Sequence, residues 1–257
     1  MNTGNDGRLT YKLVKLQTVA STSNYLNSMC VEADDRVADF TTVTAEYQQA
    51  GKGQRGNSWE SEDGQNLLFS FVLYPTFVAA GRQFIISQMD AVALKETLDQ
   101  YTDGISIKWP NDIYWHDRKI SGMLIEVFLQ GGSLGRCISG IGVNLNQTIF
   151  RSDAPNPVSL KQITGRDTDR QEFLSRFMGA VAHYYAMLEQ DFESTATMLE
   201  KKYGEALYRR QGMHRYRDKD GEFMAEIVGV QPDGRFMLRD DAGRERAYLF
   251  KEVQYII

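Results

Sequence analysis

Apolar and polar positions alternate along 9-LTYKLVKL-16, the period-two pattern of a half-buried strand. Hydroxyl residues in 21-STSNYLNSMC-30 predict a capped helix start. The β-branched run 41-TTVTAEY-47 and the apolar run 66-NLLFSFVLYP-75, closed by Pro75, predict two further strands. From 84 to 101 the period changes: Ile85, Met89, Val92 and Leu98 fall at helical spacing. Short strands at 105-ISIKW-109 and 112-DIYW-115 precede a turn at His116 to Arg118. Two long strands, 119-KISGMLIEVFLQ-130 and 136-RCISGIGVNLN-146, are separated by Gly131-Gly132, a hairpin signal.

After a Pro/Gly/Asp-rich loop with a short capped helix at 159-SLKQ-162, Asp169 and Glu172 predict the start of a second long helix. Its apolar stripe is Phe173, Phe177, Val181, Tyr184 and Leu188, and a further short helix fits 195 to 203. From Gly212 onward, short alternating runs are punctuated by Asp220-Gly221, Asp233-Gly234 and Ala242-Gly243. That is hairpin chemistry, and it predicts a small β-module. The expected class is α+β, with a unit over 1–205 and an all-β unit over 206–257.

Composition adds bounds rather than identity. The 257 residues carry a net charge of -5, so no global basic field suits a long nucleic-acid interface, and any anion site must be local. Cys30 and Cys137 lack metal-type spacing and fit a reducing compartment. No run approaches membrane-spanning length and the start lacks a signal-peptide core, so the expectation is a cytoplasmic protein.

Candidate chemistry begins at 51-GKGQRGNSW-59, where glycines alternate with Lys52 and Arg55. GxGxxG needs a helix to follow if it is to hold a dinucleotide, and here a strand follows. A kinase would require VAIK, HRD and DFG, and a Walker loop GxxxxGK[ST]; none occurs. What survives is a strand–loop–strand element, either an ordinary basic hairpin loop or one that wraps a phosphate or carboxylate. In 108-KWPNDIYW-115, Pro110 fixes a corner that holds Lys108, Asn111 and Asp112 together. Asp112 is either a solvated turn residue or an oxygen ligand for Mg²⁺. Lys119 is either an edge charge or a fixed cation. In 137-CISGIGVNLN-146, strand alternation puts Gly140, Gly142, Asn144 and Asn146 on one face. That face is either a bulge with turn asparagines or a surface for a flat ligand whose edge an amide can read.

These words together resemble the biotin protein ligases. The loop 51-GKGQRGNSW-59 looks like the family's glycine-rich loop, Lys108 to Asp112 repeat its KWPND motif, 117-DRKISGMLIE-126 looks like DRKxxGxLxE, and 140-GIGVN-144 is similar to GxGxN. The resemblance runs from about Leu16 to the C-terminus. It implies a mixed β-sheet with packed helices, of class II synthetase type, plus a C-terminal SH3-like β-barrel. It implies that biotin carboxylate attacks MgATP to give biotinyl-5′-AMP, and that a lysine of a biotin carboxyl carrier protein then takes the biotinyl group. By the same match, Ser21, Thr22, Ser23, Gln48, Lys52, Gly53, Gln54 and Lys119 hold biotin. Arg55, Asn57, Trp59, Asn111 and Asn144 meet ATP. Lys119, Asp112 and Lys108 form the catalytic group, with Asp112 assisting magnesium.

Lys52 and Gln54 depart from the arginines common at those places, and Lys52 lacks the planar fork that grips a carboxylate twice. The expectation is looser retention of the adenylate. The residues before the matched region are too few for the DNA-binding domain of some relatives and the balance of charge is acidic, so no nucleic-acid partner is expected; with no membrane-length run, no membrane partner is expected either. The chain is expected to be a monomer or homodimer. The alternatives are a lipoate or octanoate ligase, whose RRxSGGG-type loop residues 51–56 do not match, and a non-catalytic biotin-binding protein.

Overall fold

A computed structural model of the chain describes residues 11–33, 36–53, 58–152 and 154–257. Seven of the strands are β1 (Leu13–Val19), β2 (Thr42–Gln48), β3 (Leu67–Leu73), β4 (Ile105–Lys108), β5 (Asp112–Trp115), β6 (Arg118–Gln130) and β7 (Ser133–Val143). They form one mixed sheet in the order β1-β2-β3-β7-β6-β5-β4. β1 and β2 are parallel, with Leu13 opposite Thr42, because the helix α1 (Thr22–Glu32) carries the chain back between them. The other neighbours are antiparallel.

β3, reading LLFSFVL, is buried at every position, since both faces of the sheet are covered. On one face Leu26 of α1 meets Val43, Val72 and Ile138. On the other lie α2 (Phe84–Leu98), α4 (Arg170–Gln190) and α5 (Phe192–Glu205), with Phe177 edge-on to Phe69 at 5.4 Å and to Phe71 at 6.0 Å. The whole predicted stripe of α4 is buried. The carboxylate of Asp169 caps it by accepting from the N–H groups of Gln171 and Glu172 at 2.8 and 3.0 Å, while the Glu172 side chain turns to Arg176. Ser159 and Gln162 form a reciprocal capping box that opens α3 (Leu160–Thr164).

The remaining strands are β8 (His214–Asp218), β9 (Gly221–Val230), β10 (Phe236–Asp240), β11 (Glu245–Tyr248) and β12 (Gln254–Tyr255). They make an antiparallel sheet ordered β11-β10-β9-β8-β12. Among the described residues β11 and β12 do not pair, so the expected barrel is an open one. Gly221, Gly234 and Gly243 sit at its turns with φ of 126°, 90° and 77°, where a side chain would be strained. The two sheets meet at the KWPND corner. Trp109 Nε1 donates to Gly234 O at 3.0 Å and its ring stacks on Phe236 at 4.9 Å. Tyr203 of α5 donates its hydroxyl to Pro110 O at 2.7 Å.

Candidate active site

A cavity of about 1120 Å³ opens where β2, β5, β6 and β7 end and where the segment 250–255 of the second sheet comes across. Its uncharged end is built on the start of α1. Ser21 occupies the N-cap position yet makes no side-chain cap bond, so the predicted hydroxyl cap does not form. Its hydroxyl lies instead 3.5 Å from that of Ser23. The N–H and hydroxyl of Thr22 both donate to Gln48 Oε1, at 2.8 and 3.1 Å, and the Thr22 hydroxyl lies 2.8 Å from that of Ser70. Gln48 is thereby held in one orientation, with Nε2 on the side of Gly51. A Cβ on Gly140 would come within 2.8 Å of Ser23 Oγ, so glycine there makes room for the hydroxyls. The result is a buried set of neutral donors and acceptors, suited to a neutral polar head group.

The glycine loop leaves β2 beside this pocket. Lys52 Nζ donates to Asn24 Oδ1 at 2.6 Å, and Gly53 lines the cavity. Gln54, Arg55 and Asn57 fall outside the described residues. Trp59 returns from the loop, its N–H donating to Gly51 O at 3.0 Å. Its indole lies directly on Gly142 and Gly122. A Cβ at 142 would sit 2.4 Å from the ring and one at 122 would sit 3.1 Å from it. The glycine face of β7 does receive a flat group, and that group is the protein's own indole.

The cations occupy the adjoining wall. β4 and β5 pair with Lys108 opposite Asp112. Asp112 Oδ1 is 2.8 Å from Lys119 Nζ, and this pair is partly exposed to the cavity. Lys108 forms no ion pair among the described residues. Its Nζ donates to Tyr114 Oη at 2.9 Å and lies 4.7 Å from the Tyr114 ring and 5.3 Å from the ring of Tyr255. Burial lowers the pKa of this amine to about 8; Asp112 opposes the shift, while Lys119 and Arg209 reinforce it. Around the cavity, Lys52, Lys108, Lys119, Arg151 and Lys251 stand against Glu60 and Asp112, so an acidic chain holds a local positive site.

The asparagines divide. Asn111 is buried and donates Nδ2 to Met123 O at 2.6 Å, which locks the corner between β4 and β5. Asn144 lines the cavity, and its Oδ1 accepts from Asn66 Nδ2 at 3.4 Å. Asn146 does not share that face. β7 stops at Val143, the alternation ends there, and Asn146 instead clasps Thr168 through two hydrogen bonds of 2.8 and 3.0 Å.

Among the described residues no group of three or more His, Cys, Asp or Glu could hold a metal. Asp112 offers one carboxylate, already paired with Lys119, so these donors do not build a resident metal centre. Magnesium fits only as part of a nucleotide substrate, whose phosphates supply its other ligands. Cys137 lies in the core, where burial and then Asp90 push its thiol up to about 12, which rules it out as a nucleophile at neutral pH.

Sequence reasoning missed two walls. Phe150 to Ser152 fall between the expected strand and loop and drew no reading, and Phe250 to Tyr255 read as part of a separate module. Glu60, which ties into the first of these, carried no motif signal.

Residues 17–144 match the model of the Biotin/lipoate A/B protein ligase family. The chain is 30% identical over 217 residues to the biotin–[acetyl-CoA-carboxylase] ligase of Paracoccus denitrificans, covering 79% of this chain and 85% of that one. It is 33% identical over 184 residues to the bifunctional ligase/repressor BirA of Escherichia coli, covering 68% of this chain and 54% of that protein. The match thus spans about half the length of that bifunctional relative. Among solved structures, the Aquifex aeolicus biotin protein ligase in complex with biotin and ATP superposes with a TM-score of 0.76 at 25% identity, over 95% of this chain and 99% of that one.

Proposed function

We propose that this chain, which belongs to the biotin/lipoate A/B protein ligase family, is an ATP-dependent biotin protein ligase. The observation that carries the reading is the placement of one neutral, hydroxyl- and amide-lined pocket against a wall of cations within a single cavity. Biotin's ureido ring is neutral and richly hydrogen-bonding, and its carboxylate must meet a triphosphate that repels it. In this reading Ser21, Thr22, Ser23 and Gln48 hold the ring. Lys52, with Gly53 and Gln54, covers the carboxylate.

Lys119 bridges carboxylate and α-phosphate. A carboxylate oxygen attacks the α-phosphorus of MgATP, the bond to pyrophosphate breaks, and biotinyl-5′-adenylate forms. Lys108 and Lys119 offset the charge that develops, the kind of preorganised donor whose removal costs about 2.7–4 kcal/mol of barrier. Asn144 and Trp59 form the adenine end, and the family match assigns Arg55, Asn57 and Asn111 to ATP as well. The lysine amine of a biotin carboxyl carrier protein, once neutral, attacks the acyl carbon. The carbon–oxygen bond to phosphate breaks and AMP leaves. Asp112, beside Lys108 and Lys119, is a carboxylate that can take the amine's proton.

The reading assigns 1–205 to the catalytic unit and 206–257 to the β-module, and places the protein in the cytoplasm. No described helix is long and apolar enough to cross a membrane. Pyrophosphate exchange into ATP, with biotin, lipoate or octanoate as the added acid, tests the proposal. Exchange with biotin alone supports it. Exchange with lipoate or octanoate moves the substrate to the other acids of the family, and silence with all three leaves a binding protein.

A further inference from the structure

We propose that Glu60 is a positioning residue for the nucleotide end of the cavity. Its carboxylate staples the segment that carries Trp59 to the 147–152 segment on the facing wall. The inference rests on the ligase reading only for the identity of the nucleotide.

Both oxygens of Glu60 are engaged across 91 and 92 positions of sequence. Oε1 accepts the N–H of Arg151 at 2.7 Å and Oε2 accepts that of Ser152 at 2.8 Å. Gln147, wholly buried, adds a longer contact at 3.4 Å from Nε2 to Oε1. Two residues on, the Glu62 N–H donates to Gln147 Oε1 at 3.0 Å and its carboxylate pairs with Arg151 at 2.8 Å. Gln147 Oε1 also accepts from Asn66 Nδ2 at 2.7 Å, and that amide reaches Asn144 Oδ1 at 3.4 Å. A continuous chain of hydrogen bonds therefore runs from the residue beside Trp59 to Asn144.

Two physical points make this a staple with consequences for ligand. First, a carboxylate next to a polyanion site repels it unless donors take up its charge, and here both oxygens face backbone N–H groups. Partial burial opposes ionisation of Glu60, but the donations from Ser152 and Arg151 outweigh it and hold the carboxyl below its usual range. Second, the indole of Trp59 has no hydrogen-bond partner for its buried Nε1 among the described residues. Packing on Gly122 and Gly142 places it, together with the backbone that Glu60 anchors. The neutral pocket at Thr22, Gln48 and Ser70 shares none of these bonds, so the effect of losing Glu60 is confined to one end.

The test uses Glu60→Ala and Glu60→Gln in the full chain. ATP affinity is read by calorimetry and as KM in exchange, biotin affinity by calorimetry without ATP, and the staple by amide hydrogen exchange at Arg151 and Ser152. Loss of two charge-assisted hydrogen bonds predicts for Glu60→Ala an ATP KM raised roughly 10-fold or more, a smaller change in kcat and an unchanged biotin Kd. Glu60→Gln, which keeps one acceptor oxygen, should fall between. An unchanged ATP affinity with protection lost at both amides, or equal losses for ATP and biotin, would overturn the proposal. If biotin drives no exchange in the unaltered protein, the ligase reading fails, and direct nucleotide affinity still decides for or against Glu60.

Discussion

Lys108 is held in the site at a cost to the fold, and replacing it with methionine should make that visible. The amine titrates near 8 instead of 10.5 because it is buried. At 1.36 kcal/mol per pH unit, carrying the charge there costs about 3 kcal/mol, nearer 2 once its partial contact with solvent is counted. Methionine removes that cost and forfeits the hydrogen bond to Tyr114, worth about 1 kcal/mol. At pH 7 Lys108→Met should therefore be more stable by about 1 kcal/mol, by the difference of those two quantities. The sign reverses with pH. Below 8 the folded and unfolded chains both keep the proton, and the penalty is complete. Between 8 and 10.5 the unfolded chain binds more protons, so the unaltered protein gains stability as pH rises and overtakes the variant. Urea unfolding of both proteins at pH 7 and pH 10 measures the difference. A variant less stable by the same amount at both values would show that the amine bears no burial penalty. Adenylate formation should fall by roughly two orders of magnitude or more in the same variant, so stability and activity move in opposite directions.

Three further expectations concern Lys119, Gly142 and the departure at Gln54. Lys119→Ala should lower biotin-dependent exchange roughly 10²–10³-fold while leaving the unfolding midpoint nearly unchanged, since its pair with Asp112 is partly exposed; normal exchange would remove Lys119 from the mechanism. Gly142→Ala puts a methyl 2.4 Å from the Trp59 indole and should evict it. The readouts are a red shift in tryptophan emission and a weaker ATP affinity with an unchanged biotin Kd; an unshifted spectrum would mean the ring is not held where it lies. Gln54→Arg should slow release of biotinyl-adenylate in a trapping assay, because arginine restores charge and a planar fork at that loop. An off-rate equal to that of the unaltered chain would dismiss the idea of loose retention.

How far the chain could be read in advance depended on where each constraint originates. The stripe of α4, the capping box of α3 and the glycine turns of the second sheet are local, and each stands where its pattern put it. Of the strand expected over 9–16, Leu9 and Thr10 lie outside the described residues; among those described, β1 spans Leu13–Val19, running past the expected end where it pairs with β2 from Thr42. Asn146 shows the complementary failure, since a period-two reading has no means of knowing that pairing ends at Val143.

The site divides the same way. The motif words locate Lys108, Asp112 and Lys119, because a tight corner and two adjacent strands bring them together within a dozen residues. They do not reveal what state Lys108 is in. That depends on the ring of Tyr255, contributed by the last strand of the second sheet, and on burial beneath it. Nor do they reveal Glu60, whose carboxylate becomes informative only when two loops 91 positions apart are folded against each other. The chemistry of this cavity is therefore written locally, while the positions and protonation states that make it usable are set by contacts between distant parts of the chain. A β-module docked through Trp109 and Tyr255 then forms one wall of the cavity, and variants that loosen it should change Lys108 before they change the neutral pocket.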